Sequence, residues 1–335
     1  MEGSQPTAFI AERIRDFEGV RRKHGIGELV QAFSMDAPDV LADFGEDAAV
    51  IRSGDQALLL AADGIWSKLM EADPYWAGYC AVLVNVHDIA AMGGRPLAMV
   101  DIFSIADREI CDQVIAGMRD ASRQFGVPIV GGHLHPDTPY SVIDVAILGV
   151  ARVDSVIYSH TAMEGDRVVV ALDLDGRIHP SCILNWDSVT MKSAETVRAQ
   201  IDCLRGLAED HLVSAGKDIS NPGVVGSLGM LLEVSKKGAV IDVDLVPRPD
   251  LQSLGINLDL WLRMYPGMGF ILTVPPASVA EVCARFIAVG MTAAEIGRVD
   301  ASRRLSILSP DGEVPVFDLA DDGIMRLVTC RDGRA

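Results

Sequence analysis

The sequence has little positive charge and no long apolar run. Its 29 Lys and Arg residues stand against 47 Asp and Glu residues, which gives a net charge of −18. Such a chain repels phosphate backbones, which argues against general binding of nucleic acid or of an anionic membrane surface. No apolar stretch approaches the roughly 20 residues of a membrane span, and residues 1–15 carry no secretory pattern. We therefore expect a cytoplasmic protein that acts on small molecules.

Several familiar signatures are also missing. The six cysteines include no Cys-x-x-Cys pair, which argues against disulfide staples and a structural zinc site. There is no GxxxxGK[ST] loop, so the chain is not a P-loop enzyme. The absence of GxGxxG after the early strands argues against a dinucleotide domain, and neither GxSxG nor HExxH occurs. The cysteines are Cys80, Cys111, Cys182, Cys203, Cys283 and Cys330.

What remains is a chain in which predicted strands and helices alternate in both halves, as expected for a mixed α/β class. Its length of 335 residues suggests two domains, which we place at residues 1–154 and 155–335. Helices are predicted at residues 8–33, 73–92, 107–125, 188–215 and 277–289, with another opening at Asn221-Pro222. Strands are predicted at residues 48–51, 57–62, 96–104, 126–130, 141–151, 167–172, 239–243, 268–274, 292–299 and 305–309.

Acidic residues recur in five short motifs, at element ends or inside an apolar helix. Taken singly, most have a structural explanation, because an Asp at a strand end commonly caps a turn. Asn221-Pro222 fits a helix N-cap followed by proline in the first turn. Asp88 is harder to explain, since a charge beside a packed helix face needs a partner. The motifs are residues 45–50, 61–64, 85–94, 130–137 and 217–223.

Taken together, the motifs predict a binding site for divalent cations. Two carboxylates at about 4 Å repel by about 4 kcal/mol at an effective dielectric of 20. Unless protonated, a cluster of them persists only around a cation. Carboxylate oxygens favour hard ions such as Mg²⁺, which bridge to phosphate oxygens. The acidic motifs therefore indicate a phosphate-handling site built without a P-loop.

The same motifs resemble those of the AIR synthase superfamily. This group includes aminoimidazole ribonucleotide synthetase, thiamine-monophosphate kinase, selenophosphate synthetase and the hydrogenase maturation dehydratase. GEDAAV at residues 45–50 resembles its GDDAAV motif, and residues 88–97 resemble DxxAMGxxPL. Val130-Gly131-Gly132 resembles the GGD or GGET strand end, and residues 218–223 resemble DxSDG. The resemblance extends in the right order over residues 44–299.

The resemblance implies a two-domain AIR synthase-like fold whose N-terminal halves share a β-barrel in a homodimer. It also implies that ATP, with Mg²⁺, binds in a cleft between the halves, beside an unassigned small-molecule substrate. The metal ligands would be Asp47, Asp63, Asp88 and Asp218, with Asp88 also catalytic. The nucleotide would contact Ser220, Asn221 and the backbone N–H groups of Gly131 and Gly132.

Two departures from the family pattern bear on the chemistry. His133 stands where the family has an acid, and imidazole suits Mn²⁺, Fe²⁺ or Zn²⁺ better than Mg²⁺. Either His133 donates to phosphate and takes a catalytic role, or Asp137 supplies the missing carboxylate, or the metal differs, with Mn²⁺ as one option. Asn221 replaces the second Asp of DxSDG. Residues 1–44 contain no cysteine, unlike selenophosphate synthetase, and we expect Cys330 to be structural.

Three functions are consistent with these residues. The first is an ATP- and Mg²⁺-dependent enzyme that phosphorylates or activates an oxygen of a small metabolite. The second, motivated by His133 and Asn221, is a nucleotide-binding subunit or sensor without catalysis. The third is a hydrolase with a transition metal at His133 and His135.

Overall fold

Two mixed β-sheets are built from the two halves of the chain, and a long helix lies between them. The computed structural model describes residues 5–33, 35, 37–104, 106–136 and 138–327. The helices are α1 Thr7–Arg15, α2 Glu18–Arg21, α3 Ile26–Phe33, α4 Ser67–Ala72, α5 Pro74–Ala91, α6 Arg108–Phe125, α7 Ala194–Glu209, α8 Gly223–Ser235, α9 Leu258–Trp261 and α10 Val279–Ala288. The strands are β1 Val40–Ala42, β2 Ala49–Ser53, β3 Gln56–Gly64, β4 Arg95–Ser104, β5 Ile129–His135, β6 Val142–Arg152, β7 Arg167–Leu172, β8 Arg177–His179, β9 Cys182–Asp187, β10 Ala215–Asp218, β11 Gly238–Asp242, β12 Gly269–Val274, β13 Thr292–Asp300, β14 Arg304–Ser309 and β15 Gly312–Asp318.

The first sheet has the strand order β1-β2-β3-β6-β4-β5. All of its pairs are antiparallel except β4 with β5. Helix α5 packs against β3, β4 and β6, and α6 packs against α5. The strands alternate accordingly: Ala57, Leu59 and Ala61 of β3 are buried, whereas Leu60 is 46% exposed on the opposite face.

The second sheet has the order β10-β12-β7-β13-β11-β14-β15, and β8 and β9 form a separate hairpin. One face carries Val169 and Ala171 of β7, which pack in a core shared with α5, α7 and α10. The other face carries Val168 and Val170, which pack in a second core with α8. The first sheet and one face of the second therefore share a continuous apolar core.

Helix α5 has contacts with both sheets, since it packs against β3 and β6 on one side and β10 on the other. As predicted, Asp73 caps its start, accepting a hydrogen bond of 3.0 Å from the Trp76 N–H, and Pro74 occupies the first turn. A helix enclosed in this way has no solvated face. That is why polar residues such as Asn85 and Asp88 are buried with the apolar ones.

The N-terminal helices pack on the second sheet although they precede the first in sequence. Ile10 and Ile14 of α1 belong to the second core, and the Arg15 guanidinium donates to the carbonyl oxygens of Pro315 and Val316 on β15. The proposed division at residues 154 and 155 falls in the 3-10 turn Val153–Ser155, between strands of different sheets. That division remains a prediction.

The helix predicted over residues 188–215 is confirmed as α7 but is too long at both ends. The Asp187 carboxylate accepts the N–H groups of Val189 and Thr190, which ends β9 in a tight turn. Ser193 then caps α7, which ends at Glu209. Residues 215–218 form strand β10, because these residues pair with β12. Side chains that bond to nearby backbone N–H groups compete with helix formation, which the apolar pattern alone did not reveal.

Three further boundaries differ from the predicted ones. The helix predicted over residues 8–33 is divided into α1, α2, a 3-10 turn at Arg22–Gly25 and α3. Gly131 and Gly132 lie inside β5 rather than at its end, because the strand pairs with β4 as far as His135. Asn221 is not a helix cap, since Pro222 occupies that position and α8 begins at Gly223.

Among the described residues, we find no helix with the length and apolar character needed to cross a bilayer.

Helices α5 and α6 cross in close contact at two glycines. A Cβ at Gly117 would lie 1.9 Å from the carbonyl oxygen of Tyr75, and one at Gly78 would lie 2.0 Å from that of Val114. We expect Gly117→Ala to destabilise the fold by about 2 kcal/mol or more, because backbone must move apart. In contrast, Gly206→Ala on α7, where the nearest atom is 3.8 Å away, should be neutral or stabilising by up to about 1 kcal/mol. Urea denaturation measures both, and equal effects would contradict this packing.

Candidate metal and nucleotide site

Three carboxylates from distant parts of the sequence meet between the two sheets. Asp47 precedes β2, Asp88 lies on α5, and Asp218 ends β10. One oxygen from each lies within 4.8 Å of the others. We call this set the acid cluster. It is the only such set of three or more potential metal ligands within the described part of the chain.

Local contacts hold each acid in place. The Ala48 N–H donates to the Met92 sulfur over 3.1 Å, which attaches the first acidic motif to the end of α5. Glu46 faces away from the cluster and binds the connection between the sheets, through the Ser159 N–H and the His160 ring. The Asp218 N–H donates to Asp47 Oδ2 over 3.2 Å. The site therefore forms only when the halves are joined.

Lys217 places a buried ammonium group in the cluster. Its Nζ donates a short hydrogen bond to Asp47 Oδ1, and its side chain is only 4% exposed. Our sequence reasoning assigned Lys217 no role, although it stands directly before Asp218. The strand that buries Lys217 was not predicted, and a lysine buried in a strand requires a carboxylate partner.

Burial raises the pKa of all three carboxyl groups. It raises the pKa of Asp88 well above its usual range and that of Asp218 to about 7, and neighbouring carboxylates add to both shifts. The pKa of Asp47 is raised too, with Lys217 opposing the shift. Without a metal, the cluster thus retains protons near neutral pH. A divalent cation that binds there replaces those protons.

Asp63, Ser220 and Asn221 lie together in an adjoining cavity of about 110 Å³, which we call the cleft. Asp63, at the end of β3, is outside the set of three, yet its charge raises the pKa of Asp88 and Asp218. Burial raises the pKa of Asp63 itself. The Ser220 N–H donates to Ser227 Oγ on α8 over 3.1 Å. All four acids predicted as metal ligands therefore interact.

The remaining predicted residues lie elsewhere. Gly131, Gly132 and His133 line a wider cavity of about 930 Å³ between the β4–β5 edge of the first sheet and α6, which we call the edge groove. Its size is within the usual range for small-molecule sites. His133 and Asp88 are thus not brought together in one cavity. His133 instead stacks edge-on against His135, with ring centroids 4.5 Å apart.

The strand register relates the edge groove to the acids. Asp63 pairs with Val145, Val145 pairs with Asp101, and Asp101 pairs with Gly132. Asp63 and Gly132 therefore lie in one row, three strand spacings apart, which is about 14 Å. The acids and the glycines occupy the same end of the sheet.

A metal site at the two histidines finds no support in the described residues. No third Asp, Glu, His or Cys ligand joins His133 and His135 there. Asp137, which could replace the missing acid, lies outside the described residues, as does Cys330. The hydrolase hypothesis therefore has no ligand set in the described chain.

Comparison with known proteins identifies the family. Residues 45–152 match the family "AIR synthase related protein, N-terminal domain", and residues 163–309 match the corresponding C-terminal domain. The chain belongs to the AIR synthase-related family. As the motifs implied, the fold is the two-domain mixed α/β architecture of this family.

Its relatives include proteins with and without a stated activity. An uncharacterised protein of Methanocaldococcus jannaschii is 48% identical over 320 residues, 94% of this chain and 98% of that protein. Phosphoribosylformylglycinamidine synthase subunit PurL of Thermotoga maritima is 27% identical over 74% of this chain and 43% of PurL. The chain therefore spans about half of PurL: the sequence match covers 43% of it.

Solved structures show the same fold. PurL of T. maritima complexed with ADP superposes with a TM-score of 0.75 at 20% identity, covering 94% of this chain and 52% of PurL. A ThiL protein complexed with AMPPCP and TMP superposes with a TM-score of 0.66 at 20% identity, covering 88% of this chain and 96% of ThiL. At this identity the superpositions establish the architecture alone.

The raised pKa values predict a stability cost that depends on pH. A carboxyl group whose pKa is higher in the folded state stabilises the fold below about pH 4 and loses that contribution as pH rises through its folded pKa, about 7 for Asp218. Asp218→Asn should therefore stabilise the metal-free protein at pH 8, by on the order of 1–3 kcal/mol, and have little effect at pH 4. Thermal unfolding in chelator measures this.

The matched control is Asp311→Asn, an exposed carboxylate in the turn between β14 and β15, which should leave the pH dependence unchanged. A destabilised Asp218→Asn variant at pH 8 would contradict the view that like charges strain this site.

Proposed function

We propose that this protein is an ATP- and divalent-metal-dependent enzyme that phosphorylates or activates an oxygen of a small metabolite. The observation that carries the proposal is the acid cluster: three carboxylates within 4.8 Å of one another, held in the seam between the sheets with Asp63 close by. Such a set has too much negative charge for a packed interior unless a cation neutralises it. The family relationship to ATP-dependent kinases and synthetases supports the same class.

The donor set fits Mg²⁺, with Mn²⁺ as the alternative. The cluster and Asp63 offer carboxylate oxygens alone, the ligands that hard divalent cations prefer. When bound, the metal would neutralise the phosphate oxygens of the nucleotide. Asp47, Asp88 and Asp218 would hold it, with the Asp63 carboxylate close by in the cleft.

The nucleotide would lie along the acidic end of the first sheet. The edge groove has room for its base and sugar, and Gly131 leaves the β5 backbone open to phosphate oxygens, whereas Asp101 lies where a Cβ on Gly132 would be. His133, on the same strand, would donate a hydrogen bond to phosphate rather than bind metal. Ser220 and Asn221 face the cleft, where the acceptor would enter.

Phosphoryl transfer in this site needs no protein nucleophile. The acceptor oxygen forms a bond to the γ-phosphorus as the bond to the β–γ bridging oxygen breaks, and ADP leaves with that electron pair. The acceptor's proton passes to a carboxylate facing the cleft, for which Asp63 is placed. Buried Lys217 fixes the orientation of Asp47. Positioning and charge stabilisation then supply most of the rate.

The alternative is a nucleotide-binding protein without catalysis. Two observations favour it: His133 lies in the edge groove and not beside the cluster, and Asn221 offers an amide in the cleft where the family pattern has a carboxylate. In that case ATP binding persists and no ADP forms with any acceptor.

A first test is nucleotide binding. We expect magnesium and the non-hydrolysable analogue AMPPCP to raise the melting temperature of the wild type by several degrees, because a ligand that binds only the folded state stabilises it. Asp88→Asn should lower the affinity for the magnesium complex at least tenfold, whereas Asp311→Asn should not.

ADP formation in a pool of small metabolites then separates an enzyme from a binding protein. Turnover that Asp88→Asn leaves unchanged would refute the metal-site assignment.

We also propose that a second copy of the chain covers the outer face of the first sheet. This face exposes Leu60, Val100, Ile102 and Leu148 by 37–50% each. Apolar sheet faces of this kind mark interaction surfaces. The family resemblance implies that the partner is an identical subunit whose sheet completes a β-barrel.

We therefore expect a dimer in light scattering, and Leu60→Glu should yield a monomer because it places charge in that interface. Ile287→Glu on α10, 59% exposed on another surface, is the control and should remain dimeric. A monomeric wild type would refute this assembly.

A further inference from the structure

The cleft beside Asp63 contains positive charge that phosphoryl transfer from ATP leaves unexplained. Arg22 and Lys23, from the 3-10 turn Arg22–Gly25, line it opposite Ser220 and Asn221. Within the described residues, no carboxylate lies within 4.0 Å of the charged nitrogens of either side chain.

An aromatic ring holds one of these cations at the cleft. The Arg22 guanidinium carbon lies 5.3 Å from the centroid of the Trp66 ring, and Trp66 also lines the cleft. A guanidinium over an aromatic ring keeps N–H donors free in its own plane, where they match the two oxygens of a carboxylate or phosphate. Lys23 adds a second positive charge, which partly offsets the raised pKa values of Asp63 and Asp218.

An unsatisfied acceptor completes the site. The side-chain oxygen Oδ1 of Asn221 is buried and has no hydrogen-bond partner, and Asn221 lines the same cleft. A buried polar atom without a partner costs about 1–3 kcal/mol, which makes it a candidate ligand contact. A ligand that fits must therefore bring an O–H or N–H donor as well as negative charge.

The volume limits what the cleft holds. Its volume of about 110 Å³ is roughly one eighth of the 930 Å³ of the edge groove. The cleft therefore suits a small anionic group, and the base and sugar of ATP fit the larger edge groove better.

We propose that the cleft binds the anionic end of the phosphoryl acceptor, a carboxylate or phosphate group, through Arg22 and Lys23. Asn221 Oδ1 accepts a hydrogen bond from an O–H or N–H group next to that end. The substrate class is thus a small hydroxylated or amino-bearing acid or phosphate ester. This inference rests on the proposed function, because it places the acceptor beside Asp63 at the acid cluster.

The test measures anion binding in the presence of magnesium and AMPPCP. Calorimetric titration with inorganic phosphate and, separately, with malate distinguishes a phosphate from a carboxylate end. We expect the wild type to bind at least one probe, and Arg22→Met and Lys23→Met each to weaken it at least tenfold. Lys68→Met is the matched control: the Lys68 ammonium lies 4.6 Å from the same Trp66 ring but does not line the cleft, so binding should stay within twofold.

A second pair of probes tests Asn221. Malate carries a hydroxyl group that succinate lacks, and an acceptor built to bind a hydroxyl discriminates against a ligand without it. We expect the wild type to prefer malate severalfold and Asn221→Ala to lose that preference while its melting temperature stays close to that of the wild type.

Three results would overturn the inference. One is that the wild type binds neither anion, and another is that Lys68→Met loses as much anion affinity as Lys23→Met. The third is that Arg22→Met and Lys23→Met weaken the binding of AMPPCP and leave anion binding unchanged. Failure of the proposed function has a different signature. The wild type would then not bind AMPPCP with magnesium, whatever its affinity for phosphate or malate.

Discussion

The structure depends on how several buried negative charges are held together at the seam between its two sheets. Asp47 comes from the first half of the chain and Lys217 and Asp218 from the second, 170 residues away. The Lys217 ammonium compensates part of the charge and links the halves, while the remaining carboxylates have raised pKa values. A packed interior tolerates this arrangement only if a cation or protons supply the rest. The site is therefore a strained region of the fold, and under our proposal a bound metal ion would relieve that strain.

The architecture explains why the acids meet here. Helix α5 lies between the two sheets, so a side chain on its face toward β10, such as Asp88, reaches the end of a strand in the other half. The register of the first sheet places Asp63 and Gly132 in one row, and the cleft and edge groove open at that end. The edge groove thus suits a nucleotide, the acid cluster suits a metal ion, and the cleft suits the acceptor.

The sequence predicted much of this site because several acidic motifs, each with a structural explanation of its own, together required a shared cation. Asp88 inside an apolar helix was the hardest to explain otherwise, and it lies beside Asp47 and Asp218. The Asp73-Pro74 helix start was confirmed. We missed Lys217 because we considered it only as the residue that precedes Asp218.

Other features depend on long-range pairing that no local pattern encodes. Pairing with β4 made Gly131 and Gly132 part of a strand. Ala215, the last residue of the predicted helix, instead begins strand β10, which forms by pairing with β12. Arg22 and Lys23 carried no signal, since their role follows from the folding of the N-terminal segment against the cleft.

The central claim is that one divalent ion, held by the acid cluster, contacts the phosphates of a bound nucleotide. Mn²⁺ is paramagnetic, so electron–nuclear double resonance of the protein with Mn²⁺ and AMPPCP detects phosphorus nuclei close to the bound metal. Our account predicts a phosphorus coupling in the wild type and its loss in Asp88→Asn. Protein-bound Mn²⁺ that shows no phosphorus coupling, or a coupling that persists without Asp88, would contradict it.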